Sequence, residues 1–327
     1  MIPVRNLWFM FLLSLGPLSA QPERFPINDL KAPSNTADLI KIQEALVNAL
    51  PQARAATVCI EVKDGTGSGV IVSEDGLILT AAHVVIGINR ECTVMLEDGT
   101  KLPAISLGLN SETDAAMVRI TKPGKYPYVK MDREQQALLG DWVFSLGHSS
   151  GFNKDRGSVT RIGRIVRIAQ STFQSDCTLI GGDSGGPLFD MSGRLVGIHS
   201  RVGASLQSNM HVPMREFLTH WQSLLDAQFI GDGDFAAKPK KGSGYLGIAT
   251  EARKEGGLVV TKVGEGSPAF RAKIGEGDIL LEMNGKPLTT RQELQAQLAE
   301  MAHGERVVMK VSRAGKIENL TLFLDER

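Results

Sequence analysis

The pattern of apolar and polar positions divides the chain into a helical N-terminal part and two strand-rich parts. Near the N-terminus, apolar residues recur at helical spacing at Leu39, Ile42, Leu46 and Leu50. Ser34, Asn35 and Thr36 precede this run as possible helix caps. We therefore predict one amphipathic helix in the segment 21–55. Such a helix packs on the main domain or contacts another subunit, and we favour packing.

Residues 56–228 contain short β-branched runs separated by turns. Thr57–Val62 and Leu77–Thr80 are typical of strands. Two-residue turn signals occur at Asp75–Gly76, Asp98–Gly99 and Ser192–Gly193. Many short strands joined by such turns predict antiparallel barrels or a sandwich. One final helix is predicted, with an apolar face at Met214, Phe217, Trp221 and Leu224.

The segment 229–243 is rich in glycine, lysine and aspartate. Such a composition cannot build a core, so we predict a linker. The remaining residues, 244–327, alternate strand-like runs with one helix. That helix is expected to begin at Thr290, whose spacing to Glu293 is that of a capping box.

The first 20 residues are typical of a cleavable secretory signal. Met1–Arg5 carries a positive charge, Leu7–Leu18 is apolar, and the small Ala20 follows. A membrane anchor is the alternative, but this apolar run is shorter than the roughly 20 residues that span a bilayer. We expect the signal to be cleaved and the mature chain to be secreted or periplasmic.

Composition narrows the possible partners. Lys plus Arg (36) equal Asp plus Glu (36), which leaves no excess positive charge to bind nucleic acid. The three cysteines, Cys59, Cys92 and Cys177, lie far apart in the sequence and form no metal-binding motif, so neither a metal nor a cofactor is expected. One disulfide with one free thiol, or three isolated thiols, both fit the sequence.

The strongest chemical signal is Gly181–Leu188, in which four glycines surround Ser184. A serine nucleophile needs a tight turn, with backbone N–H groups directed at the oxygen that becomes negative, and glycine permits both. Each such donor contributes about 3 kcal/mol of transition-state stabilisation. An ordinary Gly-Ser turn would explain only part of this run.

A serine nucleophile also requires a base and a carboxylate that orients it. Among the six histidines, His83 lies where a predicted strand ends beside small alanines. Asp114 directly precedes the apolar run Ala115–Ile120, so a strand could direct its side chain inward. Taken alone, a structural histidine and a turn-forming aspartate would be the simpler interpretations.

Together, these motifs resemble a known family. Thr80–His83, Thr113–Val118 and Gly182–Pro187 follow the His, Asp, Ser order of trypsin-like proteases. Gly67–Val72 and a C-terminal Gly244–Ile248 are similar to segments of the HtrA (DegP-like) family. The resemblance extends over residues 56–327. It implies a mainly β fold, in which a protease domain of two six-stranded barrels (56–228) precedes a small α+β PDZ domain (244–327).

The resemblance also implies residue roles. Ser184 would be the nucleophile, His83 the general acid and base, and Asp114 its orienting group, while the N–H groups of Gly182 and Ser184 would form the oxyanion hole. The family usually has asparagine before the serine, where this chain has Asp183. That departure bears on the resting state of the oxyanion loop, which could be set without an activating signal.

Substrate contacts follow more loosely from the resemblance. The residues expected around the specificity pocket are Cys177, Thr178, Gly197, Ile198 and His199. No acid stands at the expected pocket floor, so we predict cleavage after small or medium apolar residues. The residues expected to capture a peptide carboxylate at the PDZ groove are Tyr245, Leu246, Gly247 and Ile248.

The resemblance further implies unfolded or misfolded proteins and peptide C-termini as partners, a homotrimer, and a role in protein quality control. The competing hypothesis is a PDZ-bearing chaperone or binding protein with little proteolytic activity.

Overall fold

The computed structural model describes residues 25–63, 65–203 and 208–326. The predicted signal peptide, residues 1–20, lies outside the described residues. One 3-10 helix spans Pro26–Asp29. The α-helices are α1 (Thr36–Ala56), α2 (Ala82–Val85), α3 (Met214–Thr219), α4 (Trp221–Leu225), α5 (Pro268–Arg271) and α6 (Arg291–Ala299). Within these ranges, no helix is both long and apolar enough to cross a membrane.

The strands fall into three groups along the chain. The first group is β1 (Thr57–Val62), β2 (Gly65–Ile71), β3 (Leu77–Ala81), β4 (Glu91–Met95), β5 (Lys101–Asn110) and β6 (Ala115–Ile120). The second group is β7 (Trp142–Gly147), β8 (Val159–Ile168), β9 (Phe173–Ser175), β10 (Pro187–Asp190), β11 (Leu195–Val202) and β12 (Asn209–Pro213). The last group is β13 (Phe229–Ile230), β14 (Gly244–Tyr245), β15 (Ile248–Ala252), β16 (Leu258–Val263), β17 (Ile279–Met283), β18 (Lys286–Pro287), β19 (Arg306–Arg313), β20 (Lys316–Phe323) and β21 (Asp325–Glu326).

The first two groups form two barrels. In the first, the strand order is β5-β4-β1-β2-β3-β6, and pairing between β5 and β6 closes the ring. The second is a closed barrel of order β10-β11-β12-β9-β8-β7. The rings of Phe144 and Phe189 stack with their centroids 5.0 Å apart in the core. The prediction of two six-stranded barrels is confirmed.

The C-terminal region forms its own sheet and core. The strand order is β15-β16-β17-β19-β20, with β18 paired to β17. Leu246, Leu280 and Val307 belong to a hydrophobic core separate from that of the barrels. Thr290 and Glu293 form the predicted capping box at the start of α6. The predicted small α+β domain is confirmed.

Helix α1 packs on the first barrel through a face slightly different from the predicted one. The side chain of Asn35 caps the helix by accepting a hydrogen bond from the backbone N–H of Asp38, at 3.1 Å. Ile42 and Ala53 are buried in the barrel core, whereas Leu39 is 56% exposed. The helix is therefore as predicted, but Leu39 does not belong to its packed face.

The helical segment at the end of the barrel region consists of two helices rather than the one predicted. One helix was expected, but α3 and α4 are separate and meet at His220, whose backbone (φ −109°, ψ 17°) is not helical. Met214, Phe217 and Leu224 are nevertheless buried as the apolar pattern predicts.

The prediction that residues 229–243 contribute to no core is wrong for the first half of this segment. Strand β13 pairs in parallel with β5, where Phe229 lies opposite Leu109. The backbone N–H of Phe235 donates to the Ser111 carbonyl at 3.2 Å. Ala236 is 5% exposed and joins the barrel core. The glycine-rich composition concealed a docked segment, because its few apolar residues, Phe229, Ile230, Phe235 and Ala236, pack on the barrel core.

We predict that Phe235→Ala destabilises the barrel domain by about 2 kcal/mol, because the half-buried ring packs on its core. Urea unfolding of the full chain, followed by tryptophan fluorescence, measures this change. Leu139→Ala is the matched control, because Leu139 lies in the same barrel region, is 63% exposed and should change the free energy of unfolding by less than about 0.5 kcal/mol. Equal stability of the native and Phe235→Ala proteins would contradict the docking of this segment.

Candidate active site

Asp114 lies at the tight turn between β5 and β6. Its backbone has a positive φ of 63°, which is uncommon for a residue with a side chain. The Ala82 N–H donates to the Asp114 carbonyl at 3.1 Å and so ties this turn to the start of α2. The carboxylate is fully buried, with a relative exposure of 0%. A buried charge of this kind requires several hydrogen-bond donors.

His83 supplies two of these donors. Its backbone N–H donates to Asp114 Oδ1 at 3.1 Å, and its Nδ1 lies 2.9 Å from Oδ2. Because a carboxylate only accepts hydrogen bonds, Nδ1 carries the proton and Nε2 retains a free lone pair. The side chain of His83 is 35% exposed, so Nε2 can face a substrate.

Ser200 on β11 links this pair to the predicted nucleophile. Its hydroxyl donates to Asp114 Oδ2 at 2.6 Å. Its carbonyl accepts from the hydroxyl of Ser184 at 3.4 Å. Within the described ranges, no hydrogen bond joins Ser184 to His83. The serine, histidine and aspartate therefore share one site, with the serine hydroxyl turned toward Ser200.

The turn that carries Ser184 depends on glycine at two positions. Gly182 and Gly185 have φ values of +92° and +81°, a region that side chains disfavour. A Cβ at Gly182 would also lie 2.5 Å from the carbonyl oxygen of His148. Close backbone approach and left-handed geometry together explain the glycines around the serine.

The backbone N–H groups of Gly182 and Ser184, on either side of Asp183, have no protein acceptor in the described part of the chain, and the same is true of the exposed Gly181 before them. The Gly181 carbonyl accepts from the Ser150 N–H at 2.6 Å, and the Asp183 carbonyl accepts from the Gly186 N–H at 2.9 Å. Because a trans peptide points its N–H away from its C=O, these contacts fix the direction of both free N–H groups. Such paired donors suit an oxyanion.

Ser68 on β2 joins the first barrel to this turn. Its backbone N–H donates to the Ser184 carbonyl at 2.7 Å, and its hydroxyl donates to the Gly182 carbonyl at 2.8 Å. The same hydroxyl accepts from the His148 N–H at 2.8 Å. Ser68 is fully buried, so these bonds are shielded from water.

Phe235 lies beside His83. The two ring centroids are 6.4 Å apart and their planes are tilted by 38°. The guanidinium carbon of Arg201 lies 4.8 Å from the centroid of the same phenyl ring. The segment predicted to be a free linker thus contributes a side chain to the surroundings of the histidine.

The predicted pocket residues differ in how far they are exposed to solvent. Thr178 is exposed, whereas Gly197 and Ile198 are buried in β11. Cys177 and His199 have no exposed surface. In this conformation neither side chain can contact a substrate directly.

His199 belongs to a chain of buried hydrogen bonds. Its Nε2 lies 3.1 Å from the Leu146 carbonyl, and its Nδ1 lies 3.0 Å from Nδ1 of His211. His211 Nε2 lies 2.7 Å from the Ser175 hydroxyl. Since the carbonyl only accepts, His199 must donate from Nε2 and accept at Nδ1 from His211, which in turn accepts from Ser175.

This arrangement suits neutral imidazoles. Burial lowers the pKa of His199 to about 3, and the positive charge of Arg161 adds to the effect. Burial also holds the pKa of His211 well below its usual value. A second proton on His199 would place two N–H groups opposite each other at the 3.0 Å contact between the rings, and a second proton on His211 would remove the Nε2 lone pair that accepts from Ser175.

The three cysteines are free thiols rather than partners in a disulfide. Cys59 and Cys177 are buried, and Cys92 is half-buried. Burial raises their pKa values to about 11 for Cys59 and Cys177 and to about 12 for Cys92. The thiols therefore stay protonated at neutral pH, and of the two alternatives left by the sequence, the structure has three separate thiols.

The predicted peptide-binding loop of the C-terminal domain lies between β14 and β15. Gly247 has a φ of +80°, and its carbonyl accepts from the Gly264 N–H at 2.8 Å. Within the described ranges, the N–H groups of Leu246 and Gly247 donate to no protein acceptor. Strand β15, which begins at Ile248, is an edge strand of its sheet. Tyr245 is 41% exposed, whereas Leu246 is buried in the core.

Comparison with known proteins agrees with this architecture. Residues 67–198 match the model of the trypsin-like peptidase domain, and residues 244–324 match that of the PDZ domain. The chain thus combines a trypsin-like peptidase domain with one PDZ domain. This combination confirms the resemblance to HtrA/DegP-like proteases.

Several curated relatives carry the name "Probable periplasmic serine endoprotease DegP-like", including proteins of Bartonella henselae and Pseudomonas putida. The protein of Bartonella henselae is 28% identical over 79% of this chain and 53% of its own length. That of Pseudomonas putida strain GB-1 is 30% identical over 78% of this chain and 55% of its own length. The chain therefore spans about half the length of the curated relatives it matches.

Two solved protease structures align with this chain. The serine endoprotease from Yersinia pestis is 26% identical, with a TM-score of 0.49, over 90% of this chain and 99% of that chain. The HtrA-type protease AlgW with tripeptide is 26% identical, with a TM-score of 0.49, over 86% of this chain and 97% of that chain.

Sequence reasoning brought forward His83, Asp114 and Ser184, which the fold places together. The sequence pattern does not predict the contributions of Ser68, Ser200 and Phe235. Ser68 lies inside the motif Gly67–Val72, which is a usable signal, and Ser200 directly follows the predicted pocket residue His199. Phe235 has no such signal, because nothing in its sequence neighbourhood indicates packing.

We predict that acid destabilises this protein through its buried imidazoles. A histidine with a lowered pKa stays neutral when folded but binds a proton when unfolded. Stability is therefore complete above the unfolded pKa of about 6.5 and falls as pH decreases below it, by up to about 1.4 kcal/mol per pH unit for each such group. Urea unfolding at a series of pH values between 7.5 and 4.5 measures this slope.

His199→Gln provides the comparison. The glutamine amide can donate to the Leu146 carbonyl and accept from His211, but it does not titrate. The slope of the free energy of unfolding against pH should therefore decrease by the contribution of about one proton. An unchanged slope in this variant would show that His199 takes up a proton in the folded protein.

Proposed function

We propose that this chain is an exported serine endopeptidase that cleaves unfolded or damaged proteins, with Ser184 as nucleophile, His83 as general acid and base, and Asp114 as its orienting group. The observation that carries this proposal is the buried Asp114 carboxylate, which holds His83 in one tautomer beside a serine whose turn presents two free N–H groups.

The chemistry begins with the serine hydroxyl. Rotation about χ1 moves the Ser184 hydroxyl from the Ser200 carbonyl toward His83 Nε2, whose lone pair is free. As the oxygen attacks the peptide carbonyl, the imidazole takes its proton, and the Asp114 carboxylate stabilises the resulting imidazolium. The carbonyl oxygen becomes negative and accepts from the N–H groups of Gly182 and Ser184.

Collapse of the tetrahedral intermediate completes acylation. His83 gives its proton to the leaving amine, the C–N bond breaks, and the acyl group remains on Ser184. Water then enters, and His83 takes one of its protons as the water oxygen attacks the ester carbonyl. The second tetrahedral intermediate collapses when the ester C–O bond breaks and His83 returns the proton to the Ser184 oxygen, which releases the carboxylic acid.

The surroundings of the site suit small or medium apolar side chains at the cleaved position. Thr178, Gly197 and Ile198 carry no charge, and no carboxylate among them would attract lysine or arginine. Because Cys177 and His199 are fully buried, they would set the depth of the pocket from behind. A peptide-library profile dominated by lysine or arginine at the cleaved position would contradict this preference.

The PDZ domain would bind peptide C-termini or extended segments. The free N–H groups of Leu246 and Gly247 suit a terminal carboxylate, and the edge strand β15 could pair with a peptide backbone. The periplasmic names of the relatives, together with the predicted signal at residues 1–20, support export to the periplasm. A homotrimer and a quality-control role belong to the same proposal.

We predict that Ser184→Ala abolishes casein hydrolysis and labelling by a serine-directed phosphonate. Removal of a serine nucleophile should lower kcat by about 10⁴-fold or more. Ser192→Ala is the control, since Ser192 lies in an exposed turn and donates only to Asp190. Hydrolysis that persists in Ser184→Ala would contradict the assignment. No hydrolysis or labelling by the native chain would favour the chaperone alternative.

We also predict that a fluorescein-labelled decapeptide with a free, apolar C-terminus binds the full-length Ser184→Ala protein. Amidation of its terminus should weaken binding by about tenfold or more, because charge-assisted hydrogen bonds to the carboxylate are lost. Fluorescence anisotropy measures both affinities. Equal affinities would show that the loop Tyr245–Ile248 does not recognise a carboxylate.

A further inference from the structure

Asp183, which directly precedes the proposed nucleophile, is a second buried carboxylate in the site. Its relative exposure is 0%. Oδ1 accepts from the Ser149 hydroxyl at 2.6 Å, and Oδ2 accepts from the Ile180 N–H at 2.9 Å. The Asp183 N–H donates back to the Ile180 carbonyl at 3.1 Å. The side chain thus closes the turn that leads to Ser184.

Arg161 neutralises this carboxylate from the wall of the second barrel. It lies on β8, opposite Ser145 of β7. Its Nη2 is 3.0 Å from Asp183 Oδ2 and donates to the Ser149 hydroxyl at 3.0 Å. Ser149 therefore accepts from the guanidinium and donates to the carboxylate, which completes a ring of three side chains. The guanidinium side chain is 19% exposed, so water contributes little to screening the pair.

The fold is shaped to admit this carboxylate. Gly147 ends β7 at the point where Asp183 packs, and a Cβ there would lie 2.6 Å from Asp183 Oδ1. The backbone of Gly147 does not have a positive φ, so its conformation does not require glycine at this strand end. The space it leaves is filled by the Asp183 side chain.

In the sequence, Asp183 lies between the two residues that carry the free N–H groups. The Ser184 N–H belongs to the peptide between Asp183 and Ser184, and the Gly182 N–H belongs to the peptide between Gly181 and Gly182. If the Asp183 side chain left its site, the short backbone segment that links these two peptides would lose the contacts to Ile180 and Ser149 that hold it in its present orientation. Every contact of the ring comes from residues 145–186, and none comes from the PDZ domain.

We propose that Arg161 is a positioning residue that holds the nucleophile turn with both oxyanion N–H groups directed into the site, without a signal from the PDZ domain. This inference rests on the proposed function. It assigns the charge on Arg161 a role in catalysis, although the side chain touches no reacting atom.

The test compares full-length variants on a chromogenic peptide anilide, without PDZ ligand. Arg161→Met should lower kcat by about 100-fold with little change in KM, as expected when an oxyanion donor is misdirected. Affinity for a peptide aldehyde should fall in parallel, because its hemiacetal oxygen needs the same N–H groups. Arg164→Met is the matched control, since Arg164 lies on the same strand and donates to the carbonyls of Gly140 and Lys31.

A double variant separates positioning from general damage. In Arg161→Met with Asp183→Asn, no buried charge is left unpaired, and the amide oxygen of the new asparagine can still accept from the Ile180 N–H. We expect this double variant to recover kcat to within about tenfold of the native value. If Arg161→Met does not fold, the double variant and Arg161→Lys are compared with the native chain instead.

Three results would overturn the inference. The first is a native-like kcat in Arg161→Met, with the native chain active. The second is a double variant that folds but recovers nothing. The third is a gain of about 100-fold or more in the native kcat when the PDZ peptide is added, because the turn would then depend on that domain. A native chain that neither cleaves nor reacts with the phosphonate would instead refute the proposed function, and this inference with it.

Discussion

The need to neutralise buried carboxylates determines the architecture around Ser184. Asp114 and Asp183 both have no exposed surface, and each takes its donors from more than one segment of the chain. Asp114 draws on α2 and β11, while Asp183 draws on β8 and the loop after β7. Satisfying these two charges fixes the segments that carry the histidine and the serine. The cost of burying an unpaired charge therefore keeps the catalytic segments in one arrangement.

The two barrels depend on each other through the same region. Ser68 belongs to the first barrel but holds two carbonyls of the turn in the second. Ser200 belongs to the second barrel but donates to the carboxylate in the first. Separating the barrels would leave buried polar groups without partners, which is costly. The site at their junction is therefore also part of what holds them together.

The sequence predicted the parts of this molecule that follow local rules. Strand runs, glycine turns, the capping box at Thr290 and the motifs around His83 and Ser184 are short-range patterns, and the fold contains them. The departures have long-range causes. Leu39 is exposed because the barrel, rather than the helix alone, decides which face packs. Phe235 is anchored by Ser111, more than a hundred positions earlier in the chain, and no local pattern reports such a contact.

The docked first half of the segment 229–243 moves the structural boundary between the two domains. Composition places the boundary near residue 228, yet Phe229 and Phe235 belong structurally to the barrels. The domain boundary therefore lies after Ala237, in the lysine-rich stretch before Gly244. A recombination event that exchanged the PDZ domain at residue 228 would remove the aromatic neighbour of His83. An exchange a dozen positions later would carry a whole domain and leave the barrels and their docked segment intact.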